Sequence, residues 1–328
     1  MCDAPPKNPQ APQPEPSAKA VADLRRRLHK QAPLTLPSPP AGKGSAPLAP
    51  IVFRRDLPRT EHAPAPARPS GRPLPLAEAL SGVEIVAPNG SRTYLVEERA
   101  IVQNLAATIR TGAAVELSAA LGQALENPAS ALRGLLRELA LTEPPRLEDL
   151  LFLDLETTGL GSSPLFLIGT LACDAAGLAL RQFFARDYAE ESAALLCFLE
   201  RAAQHKLLVT FNGKSFDVPY LRMRAAAAGV PCRLAHLHLD LLHAARRIWK
   251  DRFGDCRLQT LEYHVCGRRR HDDIPGAEIA EAYHAYVRSG DARQMRAVLS
   301  HNRRDLLTLA EILVQMPVPR ADDLLGGL

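Results

Sequence analysis

Two acidic residues, Asp154 and Glu156, stand two positions apart at the end of an apolar run that begins at Leu150. Side chains of a β-strand alternate between its faces, so both carboxylates would point to the same face, about 6.6 Å apart. Carboxylates that close repel each other unless a cation neutralises them, and hard divalent cations prefer oxygen ligands. The pair therefore indicates a metal site, although a lone Asp-x-Glu is more often an ordinary turn at a strand end.

Three further residues could complete such a site. Asp217 lies between a predicted strand and a predicted helix, where the alternative role is a helix N-cap. His301 and Asp305 are four positions apart and would share one helix face, where the alternative is a solvated pair. Carboxylates that hold two Mg²⁺ or Mn²⁺ ions suit phosphodiester hydrolysis, because the ions can activate water and stabilise the leaving oxygen. The imidazole of His301 could accept the proton of that water.

The elements that must position these residues follow from apolar periodicity. Strands are predicted at 150–155, 166–172, 178–184 and 206–211. Helices are predicted at 191–203, 219–228, 237–249, 258–265, 278–286, 292–299 and 303–314. Three consecutive strands, then alternating strands and helices, then helices alone are typical of an α/β fold in which helices flank a mixed sheet.

The beginning of the chain has a different composition. Of the 28 prolines, 18 lie before residue 77, and residues 1–72 carry twelve Lys/Arg against five Asp/Glu, a net charge of +7. We expect residues 1–72 to be a disordered, basic, Pro/Ala-rich tail, because they cannot bury enough apolar surface to offset the entropy of ordering. Within this tail, residues 19–30 could form a helix that binds a protein partner or nucleic acid, with a solvated tail as the alternative.

Prolines mark the boundaries between the remaining segments of the chain. Residues 73–146 are predicted to form a small β/α region, with a β-hairpin around Asn89-Gly90 and two helices within 114–140. Residues 147–316 would form the main domain, and residues 317–328 a C-terminal tail. The chain has a net charge of +4, so residues 73–328 carry 4 − 7 = −3. The basic character belongs to the tail and is weak evidence that the main domain binds nucleic acid.

Several classes of protein are disfavoured. The six cysteines are scattered without a Cys-x-x-Cys pair, which disfavours zinc ribbons and thioredoxin-like redox sites. No apolar run approaches the length of about 20 residues that spans a bilayer, so we expect no membrane segment. The first residues lack the features of a signal peptide. The expected location is the cytoplasm.

Residues 152–159, 211–217 and 301–305 resemble the three motifs of the DEDD exonucleases, which have the ribonuclease H-like fold. More narrowly, residues 147–316 resemble the ribonuclease H-like domain family typified by the bacterial YprB protein. The resemblance implies a metal-dependent 3′→5′ exonuclease of DNA or RNA that uses two Mg²⁺ or Mn²⁺ ions. It implies that the metal ligands are Asp154, Glu156, Asp217 and Asp305, and that His301 is the general base.

One spacing departs from this family pattern. In DEDD enzymes that carry a histidine, it usually lies five positions before the last aspartate. His301 lies four positions before Asp305, which is the spacing usual for the subgroup that carries tyrosine. Residues at i and i+4 share one helix face, so the ring of His301 would still face the site.

Residues beside these motifs are candidates for contacts with a nucleic acid, most simply a single strand or a 3′ end. Lys214 could bind a phosphate, and Phe216 could stack on a terminal base, with a buried aromatic as the alternative. Asp240 could be a fifth acid near the metals, with a structural cap as the alternative. The residues predicted to bind substrate are Thr157, Asn212, Lys214, Phe216, Asp240 and Arg304.

Two other functions stay open from the sequence. One is a ribonuclease H-like module that binds nucleic acid or a partner protein without cleaving it. The other is a structure-selective endonuclease.

Overall fold

The computed structural model describes residues 72–99, 116–139, 141, 143–159, 161–234 and 237–317. Apart from Arg72 and Pro317, both predicted tails lie outside these residues, as does the predicted helix at 19–30. Within the described part of the chain, no helix is long and apolar enough to cross a membrane.

A seven-stranded mixed sheet forms the centre of the fold. Its strands are β1 Val83–Val86, β2 Arg92–Glu98, β3 Leu150–Thr157, β4 Leu165–Asp174, β5 Gly177–Phe184, β6 Leu207–Thr210 and β7 Leu237–Asp240. They are arranged in the order β1-β2-β5-β4-β3-β6-β7. β1, β2, β5, β4 and β3 pair antiparallel, whereas β6 and β7 run parallel to β3. This arrangement confirms the predicted α/β fold with a mixed sheet.

Helices cover both faces of this sheet. They are α1 Leu76–Ala79, α2 Leu117–Glu126, α3 Ala131–Glu138, α4 Glu191–Ala202, α5 Asp217–Ala227, α6 Leu241–Phe253, α7 Leu258–His264, α8 Gly276–Ser289 and α9 Arg293–Gln315. Short 3-10 turns at Leu147–Asp149 and Tyr188–Glu190 precede β3 and α4.

The alternation of side chains along β3 decides what each face of the sheet contains. Leu150 and Phe152 are buried in a cluster with α2, α3, α6 and the second half of α9. Leu151 and Leu153 are buried on the opposite face with α4 and α5. Burying a Leu or Phe side chain contributes about 1.5–3 kcal/mol, so a register shift of one residue would be strongly unfavourable. The apolar pattern thus determines that Asp154, two residues after Phe152, lies on the face of α9.

A third buried cluster packs the beginning of α9 and all of α8 against the sheet. Phe166 and Phe184 from β4 and β5 meet Tyr283 of α8, whose ring stacks on Phe166 with centroids 4.0 Å apart. The hydroxyl of Tyr283 donates a hydrogen bond to the carbonyl of Ala185 at 3.0 Å. These contacts hold α9 across the strands that carry the candidate site.

Two predictions of secondary structure were wrong. The helix predicted from residue 237 begins only at Leu241, because Leu237–Asp240 pairs with β6 as the edge strand β7. The helices predicted at 292–299 and 303–314 are one continuous helix, α9. The polar residues between them suggested a break, but His301 and Asn302 are buried against the rest of the domain. Asp305 therefore lies in the middle of a long helix, not near its start.

The predicted hairpin belongs to the same sheet as the main domain. β2 pairs with β5, and the hydroxyl of Thr93 donates to the carbonyl of Phe184 at 2.9 Å. The hairpin covers the edge of β5 that would otherwise present unpaired backbone groups. The division at residue 147 thus separates two sequence segments that share one sheet.

Candidate active site

Asp154 and Glu156 lie at the carboxyl end of the interior strand β3. They continue the face that carries Leu150 and Phe152, so their carboxylates lie on the side of the sheet that α9 crosses. The ladder with β4 becomes irregular between Glu156 and Thr157, where the strand ends. The strand thus places both acids side by side at the edge of the buried layer, as the sequence predicted.

Asn302 of α9 fixes the position of Asp154, and sequence reasoning missed it. Its amide nitrogen donates to Asp154 Oδ2 at 2.7 Å, and its Oδ1 accepts from Gln182 at 2.9 Å. Gly169 makes room for it on β4, opposite Asp154, because a Cβ there would lie 2.0 Å from Asn302 Oδ1. The only sequence signal was a glycine inside an apolar strand, which often marks a close approach of another group.

Asp217 is the first residue of α5 and comes to the site at the end of the loop that follows β6. Asn212 begins this loop with a left-handed backbone, φ 67°, which asparagine tolerates better than most residues. Asp240, at the end of β7, accepts hydrogen bonds from the N–H groups of Asn212 at 2.8 Å and Lys214 at 2.9 Å. It also caps α6 through the N–H of Leu242 at 3.1 Å. The structure thus gives Asp240 the capping role that the sequence had left as the alternative.

Helix α5 also holds the loop that follows β3. The hydroxyl of Tyr220 donates to the carbonyls of Ser163 at 2.5 Å and Gly159 at 3.2 Å. Arg224 forms an ion pair with Glu191 at 2.6 Å, and Glu191 accepts from the N–H of Leu165 at 2.8 Å. The carboxyl ends of β3 and the β6–α5 loop are thereby tied together around the acids.

Asp305 lies beside His301 and beside two residues that sequence reasoning did not place in the site, Asp273 and Arg270. His301 Nδ1 is 3.0 Å from Asp273 Oδ2, and His301 Nε2 is 3.5 Å from Asp305 Oδ2. The guanidinium of Arg270 donates to Asp305 Oδ1 and forms an ion pair with Asp273 at 3.0 Å. Arg304, a predicted substrate contact, reaches Asp273 Oδ1 at 3.3 Å. The only sequence signal was three arginines, 268–270, shortly before Asp273.

Negative charge is in excess among the acids near the end of β3. Burial, and then the negative charges of neighbouring acids, raise the pKa of Asp154 and of Glu156 well above their ordinary values. Burial raises the pKa of Asp217 to about 7. Burial also raises the pKa of Asp305, although the positive charge of Arg270 opposes it. These acids repel one another, so the folded site lacks positive charge.

A divalent cation would supply the missing charge at Asp154, Glu156 and Asp217, whose oxygens are of the type that Mg²⁺ and Mn²⁺ prefer. Among the described residues, no three acidic, histidine or cysteine side chains already form a closed set of metal ligands. Side-chain rotation would have to bring their oxygens onto one ion. Asp305 fits this set less well, because Arg270 already binds one of its oxygens.

The other predicted substrate contacts surround the acids at the sheet edge. Thr157 ends β3, and its hydroxyl donates to the carbonyl of Gly159 at 2.9 Å. Asn212 and Lys214 are exposed on the β6–α5 loop. Phe216 is half-buried, with its ring centroid 5.3 Å from that of Tyr220. Their contacts with a nucleic acid stay predictions.

The comparison with protein families agrees with this geometry. Residues 151–316, half of the chain, match a family model of the RNase_H superfamily, RNase_H_2. The matched segment contains the elements from β3 to the end of α9. The chain belongs to the RNase H superfamily. The ribonuclease H-like fold that the three motifs indicated is thereby confirmed.

The chain is also similar to two known proteins over about half of its length. Over 175 residues the chain is 33% identical to the uncharacterized protein YprB of Bacillus subtilis (strain 168), covering 51% of this chain and 42% of that protein. The chain thus spans less than half the length of this relative. The family B DNA polymerase of Pyrobaculum calidifontis matches 53% of this chain and 25% of its own, with 23% identity and a TM-score of 0.40.

Proposed function

We propose that this chain is a metal-dependent nuclease that removes nucleotides from the 3′ end of DNA or RNA. The superfamily supports a hydrolase of the nuclease type in general. The observation that carries the finer proposal is the convergence of Asp154, Glu156 and Asp217. Asp154 and Glu156 come from β3, and Asp217 comes from the beginning of α5. The three lie together at one end of the sheet, where the pKa of each is raised.

These three carboxylates would hold a divalent cation. When bound, the cation would supply positive charge to the scissile phosphate and lower the pKa of a water molecule. Asn302 would keep Asp154 in place, since its amide already bonds the carboxylate oxygen at 2.7 Å. Asp240 would keep Asp217 in place through the backbone of its loop.

His301 is the proposed general base. An ionised Asp273 can only accept a hydrogen bond, so the contact at 3.0 Å puts the ring proton on Nδ1. The lone pair of Nε2 then faces the carboxylates and would accept the proton of an attacking water. Asp273 is a positioning residue for this ring. The spacing of four residues thus still brings the ring to the acids, because His301 and Asp305 share one face of α9.

Thr157, Asn212, Lys214, Phe216 and Arg304 would bind the nucleic acid. Lys214 is exposed at the β6–α5 loop and would contact a backbone phosphate. Phe216 would contribute the exposed part of its ring to stacking on a terminal base.

The test is cleavage of 3′-labelled single-stranded DNA and RNA by the full chain with Mn²⁺ or Mg²⁺, compared with EDTA. We expect labelled mononucleotides from linear strands and no cleavage of circular ones, because a circle has no end. Cleaved circles would favour an endonuclease. Binding of the strands without cleavage under any metal would favour a binding module and overturn the proposal.

Two matched variants connect the activity to the site. We expect Asp154→Asn to lower the rate by at least about 100-fold, because the loss of residues that only orient metal ligands already costs 10–100-fold. Asp174→Asn makes the same change of charge at the far end of β4, where three arginines surround the carboxylate, and should change the rate less than about threefold. Equal rates for the two variants would contradict the assignment.

A further inference from the structure

Arg270 is enclosed by carboxylates on every nitrogen of its guanidinium group. Nε is 2.5 Å from Glu262, Nη1 is 3.0 Å from Asp273, and Nη2 donates to Asp305. Only 8% of its side chain is exposed. An arginine that merely covers the surface of a site would leave part of this fork in water, so Arg270 is a built component of the fold.

A second arginine, Arg268, supports this arrangement by contacting Glu262. Glu262 lies on α7 with 4% of its side chain exposed, and its other oxygen is 3.5 Å from Arg268. Arg268 also pairs with Glu311, which is fully buried on α9. Without Arg270, the only ion pair shown for Glu262 among the described residues would be the one with Arg268 at 3.5 Å. Asp273 would lose its ion pair with Arg270. Breaking a buried ion pair by removing one partner is strongly unfavourable, so Arg270 stays in place.

The four acids of the site therefore differ in whether their oxygens are available to bind a metal ion. Asp305 has one oxygen bound to Arg270 and the other 3.5 Å from His301. Among the described residues, no side chain donates a hydrogen bond to Glu156 or Asp217. Asp154 accepts from Asn302 on Oδ2 only. Three acids can thus turn toward an ion, whereas the fourth already has a cation.

We propose that Arg270 is the permanent counter-cation of Asp305, and that the site takes one divalent cation, at Asp154, Glu156 and Asp217, instead of two. This inference rests on the proposed metal-dependent function and corrects its expected stoichiometry. The guanidinium would neutralise the carboxylate of Asp305 without a metal.

The test is the stoichiometry of Mn²⁺ binding to the full chain, first freed of metal, by isothermal titration calorimetry and by the electron paramagnetic resonance signal of free Mn²⁺. We expect one ion per wild-type chain and two ions per Arg270→Met chain, because the substitution frees Asp305. The control is Arg269→Met, which removes the adjacent positive charge. Arg269 is exposed and contacts Tyr263, so this variant should still bind one ion.

A second variant covers the case in which Arg270→Met does not fold, which circular dichroism would show. If Asp305 is no metal ligand, Asp305→Asn binds one ion like the wild type. A fall from two ions to one in Asp305→Asn, or two ions in the wild type, would overturn the inference while leaving the metal-dependent function intact. One ion in a folded Arg270→Met chain would overturn it too. No ion in the wild type at millimolar Mn²⁺ would instead refute the proposed function itself.

Discussion

Two groups of charged side chains lie on the same sheet and differ in the balance of their charges. At one end of β4, Asp174 lies 3.0 Å from Arg99, 2.8 Å from Arg181 and 3.4 Å from Arg201. Hydrogen bonds from Arg99 and Arg181 hold the pKa of Asp174 well below its ordinary value. At the carboxyl end of β3, burial and neighbouring acids shift the pKa of Asp154 in the opposite direction.

The difference separates a structural cluster from the candidate functional site. The Asp174 group ties together β2, β4, β5 and α4, and arginines of the same chain neutralise its carboxylate. The acids of β3 and Asp217 carry more negative charge than nearby cations neutralise, and acids with such raised pKa values are typical of functional sites. Arg270 marks the border, because it neutralises one side of the candidate site and leaves the other side short of positive charge.

The largest effect on stability should come from adding a metal. We expect Mn²⁺ to stabilise the wild-type chain by about 2.7 kcal/mol at a concentration 100 times its Kd, because it binds the folded acids and not the unfolded chain. Thermal unfolding with increasing Mn²⁺ measures this effect. Asp154→Asn should lose the response and Asp174→Asn should keep it. A response retained by Asp154→Asn would show that the ion binds elsewhere.

The next effect concerns the glycine that lets α9 approach Asp154. Gly169→Ala would place a Cβ 2.0 Å from Asn302 Oδ1, so we expect a loss of about 1–3 kcal/mol together with a loss of activity. Urea unfolding and the nuclease rate measure the two effects. The matched control is Gly122→Ala, in the middle of α2 with no atom within 4 Å of the new Cβ. This control should gain up to about 1 kcal/mol from helix propensity and keep full activity. Equal loss in both variants would contradict the role of Gly169.

The smallest effect is the dependence of the Asp174 cluster on pH. Its pKa is lowered in the folded chain, so its stabilising contribution is present above the unfolded pKa of about 3.9 and is lost as the pH falls toward the folded value. We expect the difference in melting temperature between wild type and Asp174→Asn to be constant from pH 7 to 5 and to shrink below pH 4. A difference that grows on acidification would contradict the sign of this shift.

Much of the fold followed from local pattern. The apolar alternation around β3 determined which face Asp154 and Glu156 share, since burying leucines on both faces leaves one register. The pattern failed at β7 and in α9. Leu237–Asp240 is a strand because β6 offers a partner, and α9 is continuous because the polar residues around His301 are buried against other elements. Local composition cannot predict either of these contacts, because the contacting elements lie elsewhere in the chain.

The sequence also could not predict which acids of the candidate site are available to bind a metal ion. Asp305 carries the same carboxylate as Asp217, yet of these two acids Arg270 binds Asp305 and not Asp217. Arg268, Arg269 and Arg270 are identical in type and adjacent in sequence, but they contact a buried glutamate, a surface tyrosine and an acid of the candidate site respectively. Which side chain points inward depends on the path of the segment between α7 and α8.

By itself, the sequence determined the type of fold, which is an α/β fold with a mixed sheet. It also determined the acids of the candidate site: a carboxylate pair at the end of β3 and two further acids in the order of the DEDD motifs. These features follow from residue type and short-range spacing, which alternation and helical periodicity convert directly into direction. Only the tertiary structure decided that Asn302 fits over Gly169 to hold Asp154, and that Arg270 neutralises Asp305. Both depend on contacts between segments far apart in the chain, where packing and the pairing of buried charge, not local preference, determine the partners.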